Sequence, residues 1–160
     1  MKLRTQLGRF GLLVISTVLG VDCAAQPFLR ADSPVEAGGV RVGLVDQRSD
    51  REMDPNWSGA DILDLDVRVE VTNSTADTIA FEPAHVRLLA AGEARKPHKS
   101  DRRANIPAGT SKVFEVGFLE RDDNLACNVP MALGVADAAT TGASTVPLQP
   151  ISFLVSRDDI

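Results

Sequence analysis

The side chains best suited to catalysis near neutral pH are few: two histidines, His85 and His98, and two cysteines, Cys23 and Cys127. A nucleophile needs a base beside it. His85 falls on the polar side of an alternating segment, His98 sits in a run of charges, and no Gly-x-Ser-x-Gly turn is present. A Cys127–His dyad is the enzymatic arrangement these residues offer. The plainer reading of Cys127, a small buried residue or the disulfide partner of Cys23, is preferred. Asp50, Glu52, Asp54, Asn56 and Ser58 place oxygen atoms at alternate positions, as at the start of a calcium loop. Pro55 occupies the place of the required glycine, Arg51 adds a competing charge, and no glutamate follows at the twelfth place. A solvated loop between strands is therefore expected there. Histidine and methionine do not cluster, which argues against copper or zinc, and no cofactor is expected.

Two features suit binding better than catalysis. Trp57, in Pro55-Asn56-Trp57-Ser58-Gly59, is the only tryptophan. Its ring could stack on a sugar or anchor a partner, or fold back over the edge of the core. Glu93 to Arg103 reads EARKPHKSDRR and gathers Arg95, Lys96, Lys99, Arg102 and Arg103, whereas Asp46 to Asp66 holds seven acids against two arginines. Such a basic segment could grip an anionic polymer, an acidic lipid head group or an acidic protein patch. The plainer reading, a solvated hairpin tip kept soluble by its charge, is preferred. Exposed charges are screened beyond roughly 8 Å at physiological salt, so binding of this kind is weak and salt-sensitive. With 17 basic and 22 acidic residues the chain carries a net charge of -5, which argues against a general nucleic-acid binder.

The first 25 residues read differently from the rest. Lys2, Arg4 and Arg9 make a basic start, and Phe10 to Leu19 is an apolar run too short to span a bilayer, which needs about 20 residues. A basic start, a short apolar run and small residues after it describe a secretory signal peptide, with cleavage expected after Ala25. Residues 1–25 hold three bases and one acid, so the exported remainder is more acidic than the whole. Cys23 allows an alternative, the lipid-bearing cysteine of a bacterial lipoprotein. Asp22 stands where that signal has a small residue, and Gly20 where it has an aliphatic one. Cleavage after Gly20 would instead retain Cys23, free to pair with Cys127. Residues 26–39 carry two prolines, glycines and mixed charges and read as a flexible tether. An ordered domain is expected over 40–160.

What would position these groups is a set of strands. Leu63, Leu65, Val67, Val69 and Val71 alternate with Asp64, Asp66, Arg68, Glu70 and Thr72, a period of two that gives one buried and one wet face. Asn73-Ser74-Thr75 ends the run with turn formers. Weaker alternation marks Val40–Val45, Thr78–Phe81, Val86–Ala90, Val113–Phe118, Met131–Val135 and Ile151–Val155. Val135 to Ala139 could give one helical turn. Seven short strands joined by Pro, Gly, Asn and Asp argue for an antiparallel β-sandwich.

Three stretches carry a family resemblance: Leu65 to Thr75, Val86-Arg87-Leu88, and Ile106-Pro107-Ala108-Gly109-Thr110 leading into Val113 to Phe118. They are similar to immunoglobulin-like domains found in bacterial secreted proteins and lipoproteins. Those domains share a long alternating strand ending in Asn plus a small polar residue, and a Pro-x-Gly turn feeding an apolar strand. The resemblance covers roughly residues 40–155. It implies an immunoglobulin-like sandwich of about seven strands in an envelope setting, and it transfers no catalytic residues. The expectation is a secreted or periplasmic, non-catalytic binding or assembly module. Its partner would be an envelope protein or an anionic envelope polymer, and it would meet a membrane only through an N-terminal anchor. Arg95, Lys96, Lys99, Arg102, Arg103 and Trp57 are its expected contact residues. The alternatives are a lipid-anchored protein carrying a small-ligand or calcium site, and a Cys-dependent enzyme.

Overall fold

A computed structural model of the protein describes residues 34–53, 61–90, 92–121 and 130–154. Alternation governs its longest strands. In β3 (Asp61–Asn73), Leu65, Val67, Val69 and Val71 are buried, while Asp64, Asp66, Arg68, Glu70 and Thr72 lie on the other face. β2 (Val40–Met53) runs antiparallel along the whole of β3. Its rhythm breaks at Val45, a bulge between Leu44 and Asp46 that leaves this valine 54% exposed. Bulging this residue out of the ladder keeps the rest of β2 in phase with β3. On the other side of β3 lies β9 (Ser111–Arg121), which buries Phe114, Val116 and Phe118 and pairs from Ser111 opposite Thr72 to Arg121 opposite Ile62.

Two short strands complete this sheet. β1 (Val35–Ala37) pairs with the start of β2, and β7 (Lys99–Ser100) pairs with the middle of β9, giving the order β1-β2-β3-β9-β7. Part of the segment read as a tether is thus a strand. Gly38 and Gly39, at φ 55° and 79°, reverse the chain in a two-residue hairpin turn that needs two left-handed residues.

The opposing strands are shorter and broken across their middle. β4 (Ile79–Phe81) and β5 (Arg87–Ala90) follow one line, interrupted by a 3-10 turn, Pro83–His85. β10 (Pro130–Gly134) and β11 (Ala139–Thr141) follow the neighbouring line in the opposite direction. The two registers, Leu88 opposite Leu133 and Phe81 opposite Ala139, differ by one residue. Pro83 offers no N–H to a ladder, so a break at this point costs no backbone hydrogen bond of its own. Ala138 N–H bonds to Val135 O, bending the second line at the same level. Outside these lie β13 (Ile151–Leu154) and β12 (Ser144–Thr145) on one flank, and β6 (Glu93–Arg95) and β8 (Ala104–Ile106) on the other. The result is two four-stranded sheets, β13-β10-β5-β6 and β12-β11-β4-β8.

One apolar core joins all three sheets, from Val40, Val69 and Phe114 to Phe81, Leu88, Leu133 and Ile151. The rings of Phe81 and Phe114 meet across the layers at 4.9 Å. Each such side chain, fully withdrawn from water, contributes roughly 1.5–3 kcal/mol. Every strand pairing among the described residues is antiparallel. The molecule is an all-β antiparallel sandwich. The seven strands marked by alternation are β2, β3, β4, β5, β9, β10 and β13. The six others among the described residues are two or three residues long, and the sequence did not mark them.

Asn73 is the buried polar residue of this core. Its side-chain amide donates to Asp77 O at 2.8 Å and Ile106 O at 2.9 Å, and its Oδ1 accepts from the Thr75 N–H and hydroxyl at 2.9 and 2.7 Å. Its backbone N–H bonds to Thr110 O, and Gly109 N–H bonds to its carbonyl. One side chain thus ties the turn after β3 to the Pro107-Ala108-Gly109 turn before β9. Gly109, at φ 70°, supplies the left-handed residue that this turn needs.

Candidate functional site

The basic segment is the path by which the chain changes layers. It leaves the second layer at the end of β6, crosses to the five-stranded sheet as β7, and returns as β8. Residues 96–103 therefore form a strap over one side of the sandwich and not the solvated hairpin tip expected, because residues 98–101 bond to β9. Four contacts fasten it to β9. His98 N–H bonds to Gly117 O at 3.0 Å, and Asp101 N–H to Glu115 O at 2.9 Å. The Asp101 carboxylate accepts the Glu115 N–H at 2.9 Å. Lys99 and Ser100 pair with Gly117 and Val116.

The side chain of Lys99 adds a further fastening. In register, Lys99, Gly117 and Asp66 form one row across β7, β9 and β3. Strands lie about 4.8 Å apart, so Lys99 must pass over the position of Gly117 to reach Asp66. It does so, and its ammonium donates to Asp66 Oδ2 at 2.8 Å and lies 3.6 Å from Asp64 Oδ2. A Cβ on Gly117 would stand 2.6 Å from Lys99 Cγ and 2.7 Å from Asp66 Oδ1, inside van der Waals contact. The missing side chain is what lets the lysine through. The hydrogen bond to Asp66 raises the Lys99 pKa above its ordinary value, the charges of Asp66 and Asp64 add to this, and partial burial opposes it. His98 Nε2 approaches Asp64 Oδ1 at 3.8 Å, so both residues of the strap turn toward the acids of β3.

The five bases are thus not equivalent. Lys99 is committed to Asp66 and Asp64. Arg95 is paired with Glu93 at 2.6 Å. Lys96, Arg102 and Arg103 are exposed, and they make no hydrogen bond, ion pair or ring contact with another described residue. Beside the strap, Asp46, Gln47, Asp66, Arg68 and Glu115 line a shallow polar groove of about 250 Å³ on the outer face of the sheet.

Sequence reasoning did not identify Gly117, Asp64 or Asp66 as parts of this arrangement. A glycine at a polar-face position of an otherwise regular strand is a signal for it, but the partner passing over it comes from a different stretch of chain. His85 ends the 3-10 turn instead of lying on the polar face of β5, because Pro83 halts the strand before it. Its Nδ1 lies 3.1 Å from Asp137 O. Asp50 and Glu52 are strand residues opposite Asp64 and Ile62, so neither belongs to the loop expected there. Asp54, Asn56, Ser58, Trp57, Cys23 and Cys127 lie outside the described residues. Among the described residues, no group of three or more His, Cys, Asp or Glu is disposed to hold a metal ion.

An antiparallel β-sandwich with a charged strap across one side is the class of protein these elements define. No protein-family model and no curated protein matches the chain. Solved structures do resemble it. One is ycdA of Bacillus subtilis, a candidate lipoprotein, at 15% identity and a TM-score of 0.56 over 79% of this chain and 39% of that one. Another is the yjhA protein of Bacillus subtilis, at 10% identity and a TM-score of 0.50 over 71% and 86%. A functionally unknown protein of Listeria monocytogenes gives 10% identity and a TM-score of 0.50 over 79% and 82%. This chain spans well under half of ycdA. At these identities the likeness is one of fold.

Proposed function

We propose that this protein is an exported, non-catalytic binding module of the bacterial envelope, built on an immunoglobulin-like sandwich and reaching its partner through the strap. The observation that carries this reading is the division of polar groups between interior and surface. The described core is apolar except for Asn73, whose polar atoms are all used within the fold. Three bases without a partner among the described residues, Lys96, Arg102 and Arg103, stand outside on a segment held to the sheet at several points. A rigid scaffold presenting charged side chains is suited to recognition. The basic start and apolar run of residues 1–25 support export. The position of Cys23 after that run, and a candidate lipoprotein among the similar folds, support a lipid-anchored form of the same module.

The test is crosslinking in intact envelopes followed by capture of the protein. Wild type is compared with a variant neutralised at Arg95, Lys96, Lys99, Arg102 and Arg103. The variant is expected to lose the wild-type partners. Equal recovery of the same partners by both proteins removes the strap from the account.

A further inference from the structure

The five-stranded sheet closes one of its edges and leaves the other open. At the first, the strap bonds to β9 over residues 98–101, and the Asp101 carboxylate accepts the Glu115 N–H. At the second, β1 covers only Val40–Val42 of the 14-residue β2. Pro34 carries that line past Gly43, where an added Cβ would stand 3.1 Å from the Pro34 Cβ. From Leu44 to Met53 no described residue pairs with β2 on the side away from β3. A strand with one side unpaired presents N–H and C=O groups that another strand can bond.

Bulges and charges usually blunt such an edge. Here the order of the charges rejects most strands and suits one, a second copy of β2. Two copies run antiparallel about a two-fold axis normal to the sheet, which keeps both apolar faces in one layer. An axis at Ser49 uses the open stretch from Val45 to Met53 in full and stops short of Pro34. Arg48 then stands opposite the second copy's Asp50, and Asp50 opposite its Arg48. Both positions lie on the outer face, in the rows of Asp66 and Asp64. Val45, 54% exposed, comes opposite Met53, and Gln47 opposite Arg51. Asp46 against Glu52 is the one like-charged pair. Other axes fit worse. At Arg48 the axis sets that arginine against itself and Asp46 against Asp50, and at Asp50 it sets two acids face to face. At Gln47 it drives the second copy's Met53 onto Arg41, a place β1 already holds.

We infer that β2 pairs with β2 of a second copy of this chain across an axis at Ser49, joining two five-stranded sheets into one. The pairing does not depend on the strap's role. The two straps lie on opposite edges of the joined sheet, so a dimer offers both to a partner.

The test is sedimentation equilibrium of the protein purified from its native cells, in reducing buffer, from micromolar to about 1 mM. Wild type is expected to show a monomer–dimer equilibrium. Arg48→Asp and Asp50→Arg each turn two attractive cross-strand pairs into two repulsive ones, and each should weaken dimerisation about tenfold or more. The double variant exchanges the charges and should restore it. Glu52→Lys removes the like-charged pair and should tighten it. A covalent trap gives a second readout. Copies of Ser49 stand about 5 Å apart across the axis, within reach of a disulfide, and copies of Gln47 about 14 Å apart. Under oxidation Ser49→Cys should form a linked dimer beyond the wild-type background, and Gln47→Cys should not. Equal linking at both positions overturns the register, as does a double variant no better than the singles. A monomer at every concentration overturns the pairing. Slow amide exchange along β2 in that monomer gives the edge to residues 26–33 of the same chain. Equal far-ultraviolet spectra and melting points show that each variant is folded. The cysteine pair keeps the test decisive should a charge variant unfold.

Discussion

Asn73 owes its place to the number of bonds it makes. An amide buried without partners would cost several kcal/mol, and this one is offset by four side-chain bonds, three within the turn after β3 and one to Ile106 O, 33 residues away. Replacing Asn73 by Ala removes those bonds and strands the Ile106 carbonyl in the core. We expect a loss of about 2–4 kcal/mol in urea unfolding, with the slope of the transition unchanged. A loss under about 1 kcal/mol would show that solvent reaches these groups. The Lys99 ammonium obeys a different balance. Its pKa is raised in the fold, so the stability it contributes is fully present below its unfolded value of 10.5 and is lost as pH rises through the folded value. Lys99 is 44% exposed, and solvent screening keeps the contribution modest. The melting-point gap between wild type and Lys99→Met should be constant from pH 7 to about pH 10 and close above it. A gap that widens with pH contradicts the ion-pair assignment.

At the scale of the element, β2 keeps its register along β3 by setting one residue outside the ladder. Val45 bulges out between Leu44 and Asp46, so that Asp46 faces Arg68 on the outer side of the sheet. Deleting Val45 leaves Leu44 and Asp46 adjacent, and regular alternation then continues in the existing register. We expect this deletion to change stability by less than about 1 kcal/mol, because it removes an exposed apolar side chain and no core contact. A deletion that unfolds the sheet would mean that the bulge supplies a twist the sandwich needs. The strap works through its ends. Its crossing from one layer to the other explains why a sequence so rich in charge adopts a fixed path: backbone bonds to β9 and one lysine hold it there. Alternation in β3 and β9 is readable from sequence because one face of each is apolar over many residues. β6, β7 and β8 offer no such run, and their strand character comes from what they pair with.

The whole molecule is a sandwich whose described chemistry lies on its surface, preceded by a segment with the pattern of an export signal. The two features make different predictions for the ends of the chain. Mass spectrometry of the protein isolated from its native cells should show a mature N-terminus at Gln26. A start at Val21 retains Cys23 and makes its pairing with Cys127 testable by thiol titration. A mass increased by a diacylglyceryl group on Cys23 places the module on a membrane instead. An unprocessed Met1 refutes removal of residues 1–25.

Sequence alone determined the all-β class, the buried faces of β3 and β9 and the presence of a concentrated basic segment. All three follow from local order: a period of two, turn residues between runs, and charge counted along the chain. Only the tertiary structure decided which of those charges are available. Lys99 and Asp66 are 33 residues apart and meet because β9 lies between their strands and carries a glycine at the crossing point. Asn73 looks like a turn former in the sequence and becomes a buried tie because Ile106 and Gly109 are folded against it. Long-range register sets such meetings, and no local pattern encodes it.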